Sequence, residues 1–251
     1  YFALASGENA TALGAASYAS GAFGTAVGIA STAEGAATVA VGSNAAAIGT
    51  RATALGSDAV AARDYTTAVG DEAVASGHAA TAVGIGSRAE SANSTALGGA
   101  YFVGAQDDGS GGTGEFVQTT ASAQGATAVG AGARASGENA SATGALSLAE
   151  GLDSTANGFQ AAAQGEDSTA LGSDALAEGD YTTAIGATSS ALGLGASAFG
   201  SGAVAVGEFA TASGYNAVAT EKWSSAYGVG SEATGQSAVA IGGQMVVING
   251  D

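Results

Sequence analysis

The sequence predicts an all-β chain, a parallel β-roll (β-solenoid) built from coils of 14 residues. Three observations lead there. Gly recurs every seven residues from Gly7 to Gly98 and again from Gly130 to Gly242, filling 28 of 31 frame positions, with Arg63, Ser91 and Glu221 the exceptions. Ala stands two residues before every one of the 31. The residue just before the frame alternates in character from one heptad to the next, which doubles the true period to 14.

Each coil therefore holds a first and a second strand. A helix is excluded, because each Gly costs a helix interior about 1 kcal/mol relative to Ala. Segments such as YTTAVG (65–70) and YTTAIG (181–186) instead alternate with period two and carry β-branched residues. Gly at the corners permits tight turns between short strands. Coils stacked about 4.8 Å apart would pair each strand with its equivalent in the next coil, and about sixteen of them make a rod on the order of 75 Å long.

Alternation assigns the faces. The frame Ala, and the Ala, Ser or Thr two residues before it, point one way into a gap that only small side chains fit. The residue before the first-strand corner points the other way. It is apolar in thirteen of sixteen coils: Leu13, Val27, Val41, Leu55, Val69, Val83, Leu97, Val129, Leu171, Ile185, Phe199, Tyr227 and Ile241. The matching position of the second strand is polar in eleven of fifteen, as at Ser20, Glu34 and Gln164. Burial of one large apolar side chain is worth roughly 1.5–3 kcal/mol, so a column of thirteen marks an interface. The expectation is an obligate oligomer packed along the rod through its first strands. The residues by themselves fix neither the number of chains nor the hand of the coil.

Composition narrows function. The 251 residues include 43 Gly, no Pro and no Cys, and 5 Lys+Arg against 22 Asp+Glu give a net charge of −17. Disulfide scaffolds, Cys-ligated metals and collagen are excluded. So acidic a chain is a poor partner for nucleic acid, and no stretch is apolar for long enough to cross a membrane as a helix. The acids sit mostly in turns, at most once or twice per coil, where a soluble, self-repelling rim is expected rather than a cation site. One His and no G-x-S-x-G leave no catalytic triad. Neither a cofactor nor a metal is expected, and no enzyme.

Three places depart from the pattern. Between Gly98 and Gly130 the apolar runs Tyr101-Phe102-Val103 and Glu115-Phe116-Val117 flank a Gly/Asp/Ser stretch containing Asp107 and Asp108, which reads as a β-hairpin. It serves as a clasp on a neighbouring chain, as a ligand contact, or as no more than a tolerated insertion. At Glu221 the segment TEKWSSAYG brings in Lys222 and the only Trp, Trp223, as a cover of the roll edge or of a seam between chains, or as a ligand contact. Around Leu192, Phe199 and Val206 both strands turn apolar, and a tighter packing or a shift of register is expected. His78, in the turn ASGHAA, reads as a solvated side chain.

The coil NATALGAASYASGA, followed by TAVGIASTAEGAA, resembles the 14-residue head repeat of YadA-like trimeric autotransporter adhesins, and YFALAS resembles the short lead-in to such heads. The chain divides on this reading into repeats over 1–98 (1–8 as lead-in), an insertion over 99–125, repeats over 126–242, and a start of neck or cut end over 243–251. The resemblance implies a homotrimer of left-handed rolls at the surface of a Gram-negative bacterium, anchored in the outer membrane through a C-terminal region absent here. This part itself would not touch the membrane. It also implies attachment to host cells, extracellular-matrix proteins or other bacteria. The rival readings are an ice-binding solenoid, from Thr ranks such as Thr11, Thr25 and Thr67, and a polysaccharide-active β-helix enzyme.

Overall fold

Ala at the inward position allows the two strands of each coil to lie back to back at close range, and the backbone follows from that. A computed structural model describes residues 2–103 and 115–243, and all regular structure among them is β-strand. The chain forms two units, Tyr1–Leu146 and Ser147–Asp251. In the first, the second strands run from Leu4–Ala5 to Arg134–Ala135 as one parallel ladder, with Tyr18 on Thr32 and Ala19 on Ala33. The first strands, Thr11–Leu13 to Ser141–Thr143, form another, with Ala54 on Ala68 and Leu55 on Val69. The second unit repeats the plan from Leu148–Ala149 to Glu232–Ala233 and from Thr155–Asn157 to Val239–Ile241. Of the two expectations for the doubly apolar stretch, the shift of register does not occur: Ser190 stacks on Val204, and Phe199 sits between Ile185 and Ser213. A 14-residue repeat with unchanged small residues inside has no reason to slip when only outward side chains grow.

The core is made of methyl groups and small hydroxyls. Ala26, Ala40, Ala54 and Ala68 of the first strands and Ala19, Ala33, Ala47 and Ala61 of the second are wholly buried. Among the described residues the largest fully buried side chains are threonines: Thr38, Thr66, Thr119 and Thr182. A buried hydroxyl needs a partner, and the corner supplies one to most of them, Ser154 and Ser168 excepted. Thr38 Oγ1 donates to Gly35 O at 2.8 Å, Ser31 Oγ to Gly28 O at 3.1 Å and Ser94 Oγ to Ser91 O at 2.7 Å. The bulky column points outward as the alternation requires. Every member from Leu13 to Ile241 is half-buried or exposed, and none is buried.

The two corners of a coil differ. The first-strand Gly has a backbone that L side chains avoid, as at Gly56 (φ 140°). The second-strand Gly has no positive φ, but a Cβ on Gly21 would overlap the backbone of Gly35 in the next coil. The positions where Gly is replaced, Arg63, Ser91 and Glu221, are all second-strand corners, so the steric constraint is the one that yields. Beyond nearly every corner the second residue is left-handed even when it is not Gly, as at Asn9 (φ 54°) and Tyr65 (φ 62°); Ala100, which leads into the hairpin, is an exception. Its N–H bonds to the preceding coil: Tyr65 N–H donates to Thr50 O at 2.9 Å. Turns and strands are thus both laddered.

The insertion is shorter than expected. Thr120–Ala121 is a second strand of the roll, stacked between Arg88–Ala89 and Arg134–Ala135. The roll therefore resumes ahead of 126. Its corner there is Ala123, which hid the coil from a pattern based on Gly. Tyr101–Val103 and Glu115–Val117 pair antiparallel, Phe102 opposite Phe116. Asp107 and Asp108 lie outside the described residues, as do residues 244–251.

Candidate functional site

The regular wall offers an outward apolar column, and three local constructions add side chains to it. The first is the base of the hairpin. Tyr101 is half-buried, while Phe102 and Phe116 are exposed with ring centroids 4.9 Å apart. The hairpin lies against turns that carry Gly: a Cβ on Gly132 would meet Tyr101 Cβ and Leu146 Cδ2 at 2.9 Å. Thr119 fastens its end, accepting from Gly132 N–H at 3.2 Å with its hydroxyl 2.7 Å from Gly130 O and 2.9 Å from Gly99 O. A cleft of about 510 Å³ opens beside it, between Phe116, Gln118 and Ile85 on one hand and Asp71 and Glu72 on the other.

The second is at Lys222 and Trp223, which the structure brings together. Lys222 Nζ lies 4.5 Å from the indole centroid and 2.6 Å from Glu208 Oε2. Trp223 keeps half of its surface in solvent (50%). Its cation is therefore shared between a ring and a carboxylate of the preceding coil.

The third was not visible as a site in the sequence. Arg51, Tyr65 and His78 belong to three successive coils of the first unit. The Arg51 guanidinium carbon lies 5.8 Å from the Tyr65 ring centroid, and His78 meets the same ring edge-on at 5.7 Å. The signal lay in spacings of 14: residue 65 is 51 plus one coil, and 78 is 64 plus one coil, so these residues rise in adjacent columns.

Left-handed positions after second strands hold Phe23 and Tyr65 in the first unit and Tyr181, Phe209 and Trp223 in the second. The left-handed residues after first strands, such as Ala30, Asn44, Asp58 and Asp174, include no aromatic. A bulky residue there costs about 1 kcal/mol or more, so aromatic rings gather on one kind of turn at a price in backbone strain. At Tyr181 the Glu166 carboxylate raises the phenol above its ordinary value, with desolvation, Asp167 and Asp180 adding to it. No group of three His, Asp or Glu among the described residues is placed to hold a metal ion.

Comparison with known proteins gives the pattern a family. The model of the YadA head domain repeat (2 copies) matches residues 5–29, 19–45, 47–73, 75–100, 121–147, 149–175, 177–203 and 200–220. No curated protein matches the chain. Among solved structures it is similar to the crystal structure of the collagen-binding domain of the Yersinia adhesin YadA, with 21% identity, 79% of this chain and 69% of that chain covered, and a TM-score of 0.28. The repeat model covers well over half of the sequence, its matches resume at residue 121 where the roll resumes, and the chain belongs to the YadA head family.

Proposed function

We propose that the chain is the non-enzymatic head of a bacterial surface adhesin, a homotrimer that attaches to host cells, extracellular-matrix proteins or other bacteria. The observation that carries this reading is the outward apolar column. Leu13, Val41, Leu55, Val83 and Leu97 in the first unit, and Ile185, Phe199, Tyr227 and Ile241 in the second, stand on a wall whose interior is already filled by Ala. They have nowhere to go within their own coil, and sister chains would cover them. The same positions on second strands carry Ser, Glu and Gln, which suit a face left in water. Three copies of a repeated acidic wall would let individually weak contacts add through effective concentration. Family membership supports display at the surface of a Gram-negative cell, anchored in the outer membrane by a C-terminal region. The hairpin and the Lys222–Trp223 pair are two of the elements that break the regular surface, and so are places to look for trimer clasps or ligand contacts.

Light scattering on the purified chain should give three times the chain mass. The same sample should adhere to cells and to surfaces coated with matrix proteins at two salt concentrations. A stable, folded monomer, or a trimer that adheres to nothing in the panel, would refute the proposal.

A further inference from the structure

The chain has five Lys and Arg in all and a net charge of −17. Two of the five, Arg51 and Arg63, fall in equivalent turns of successive coils, and the only His, His78, falls in the turn of the next. The ion pairs among the described residues are Arg88–Glu90 and Lys222–Glu208, so neither guanidinium is spent on a carboxylate. The nearest acid in sequence, Asp64, turns one carboxylate oxygen to the backbone, Oδ1 accepting from Thr50 N–H at 2.7 Å. Tyr65 stands between the Arg51 guanidinium and the His78 imidazole with 52% of its surface in solvent. Arg63, two residues before it in the same turn, is exposed too. A guanidinium free of any carboxylate beside an open phenol, with a second exposed Arg two residues away in the same turn, is the opposite of what the composition provides elsewhere.

We infer that Arg51, Arg63, Tyr65 and His78 bind an anionic saccharide, with a sugar ring against Tyr65 and a sulfate or carboxylate on the two arginines. This rests on the adhesive reading above, to which it adds a ligand class. Guanidiniums pair bidentately with such anions, and an exposed aromatic ring offers a flat apolar surface with a polar tip. A peptide strand is disfavoured, because the backbone here has no free edge to extend. Arg51 N–H donates to Ala36 O at 2.8 Å, Tyr65 N–H to Thr50 O at 2.9 Å and Ala79 N–H to Asp64 O at 3.0 Å. Recognition must therefore go through side chains. The acidic remainder of the chain repels a polyanion, which confines binding to this cluster and makes a short oligosaccharide the fitting ligand.

The test uses the full chain at about 0.15 M ionic strength. A heparin tetrasaccharide, a hyaluronan tetrasaccharide, neutral isomaltotetraose and polyglutamate are each titrated by calorimetry and by the NMR signals of the single imidazole. One or both anionic sugars should bind and move the His78 signals. Binding of heparin alone assigns the anion as sulfate, and binding of hyaluronan as carboxylate. Arg51→Gln and Tyr65→Ala should each weaken binding by about ten-fold, the scale of one charge-assisted or cation–π contact. Both variants should fold, since other coils already hold Ala (Ala37, Ala79) and Gln (Gln160) at left-handed turn positions. Equal binding of isomaltotetraose or polyglutamate overturns the inference, as does sugar binding that leaves His78 unmoved or both variants unaffected. If no sugar binds while the chain still adheres to cells or matrix, this inference fails and the adhesive reading stands; a chain that adheres to nothing removes that reading itself.

Discussion

Ala54 and Leu55 are adjacent in the chain and lie on opposite sides of the wall of the roll: Ala54 is wholly buried, while Leu55 leaves 36% of its surface in solvent. The usual order of a protein interior, large apolar groups inside and small ones anywhere, is inverted here. A coil of 14 residues encloses so little space that two facing strands meet at the distance of methyl groups. The larger aliphatic side chains therefore become available for contact between chains.

Enlarging the inner residue should be felt at once. Ala54→Leu adds three carbons where Ala40 and Ala68 stack directly above and below it. Overpacking of this kind costs typically 1–3 kcal/mol, and occasionally more. The midpoint of urea unfolding should fall accordingly. An unchanged midpoint would mean that the interior has slack the methyl packing denies.

The outer residue should govern assembly rather than folding of the coil. Leu55→Asp, placed in the first-strand column, should dissociate the proposed trimer into lower-mass species in analytical ultracentrifugation. Ile48→Asp provides the control, because Ile48 is as exposed (43%) but stands on a second strand. It should leave the mass unchanged. Equal effects of both would show that the two walls are not distinguished by burial against a sister chain.

Much of this was legible in the sequence because the constraint repeats. Ala at 31 positions is written by a gap of fixed width, and the outward column is written by alternation. What was hidden lies where the repeat tolerates variety. Ala123 replaced a corner Gly and concealed the coil that holds Thr120–Ala121. The left-handed residue of the turn ranges from Gly, Asn, Asp and Ala to Arg51, Leu146, Thr188 and aromatics, so no single residue type announces it. The Arg51–Tyr65–His78 contact depends on side chains reaching between coils, and only the stacking of turns in register makes those residues neighbours. His78 read alone is a solvated turn residue; read with residue 64 one coil below, it stands beside Tyr65.

The two kinds of corner should respond differently to a Cβ. Gly56→Ala meets both a φ of 140° and the backbone of Gly70 in the next coil. It should cost about 3 kcal/mol or more, combining strain with overlap. The reverse change at a second-strand corner, Ala123→Gly, should cost less than about 1 kcal/mol, the entropy of a freer chain. Chemical denaturation of the two variants measures both. A small loss at Gly56 would show that the first-strand corner has another conformation open to it.

The Lys222 cluster should contribute little to stability and much to the environment of the indole. Lys222→Met removes the ion pair to Glu208 and the cation near Trp223. Half-exposed pairs of this type are worth about 0.2–1 kcal/mol, so the unfolding midpoint should barely move. Trp223 is the only Trp, and its emission reports this site alone. A shift in its wavelength or yield without a change in stability is the expected result, and a large loss of stability would assign the pair to structure.

Tyr181 provides a titration with a defined sign. Glu166 beside it disfavours the phenolate, and Asp167 and Asp180 act in the same direction, so its midpoint lies above the ordinary 10.0. A group whose pKa is raised on folding holds its proton more tightly in the native state. Its contribution to stability is present below the unfolded pKa and is lost as the pH climbs through the folded one. Subtracting the ultraviolet titration of Tyr181→Phe from that of the parent isolates this tyrosine. Its midpoint should exceed 10.0 and return toward it in Glu166→Gln. Because the phenol is exposed, added salt should have the same effect by screening the carboxylates. A midpoint that ignores both salt and Glu166 would place the cause in burial instead of charge.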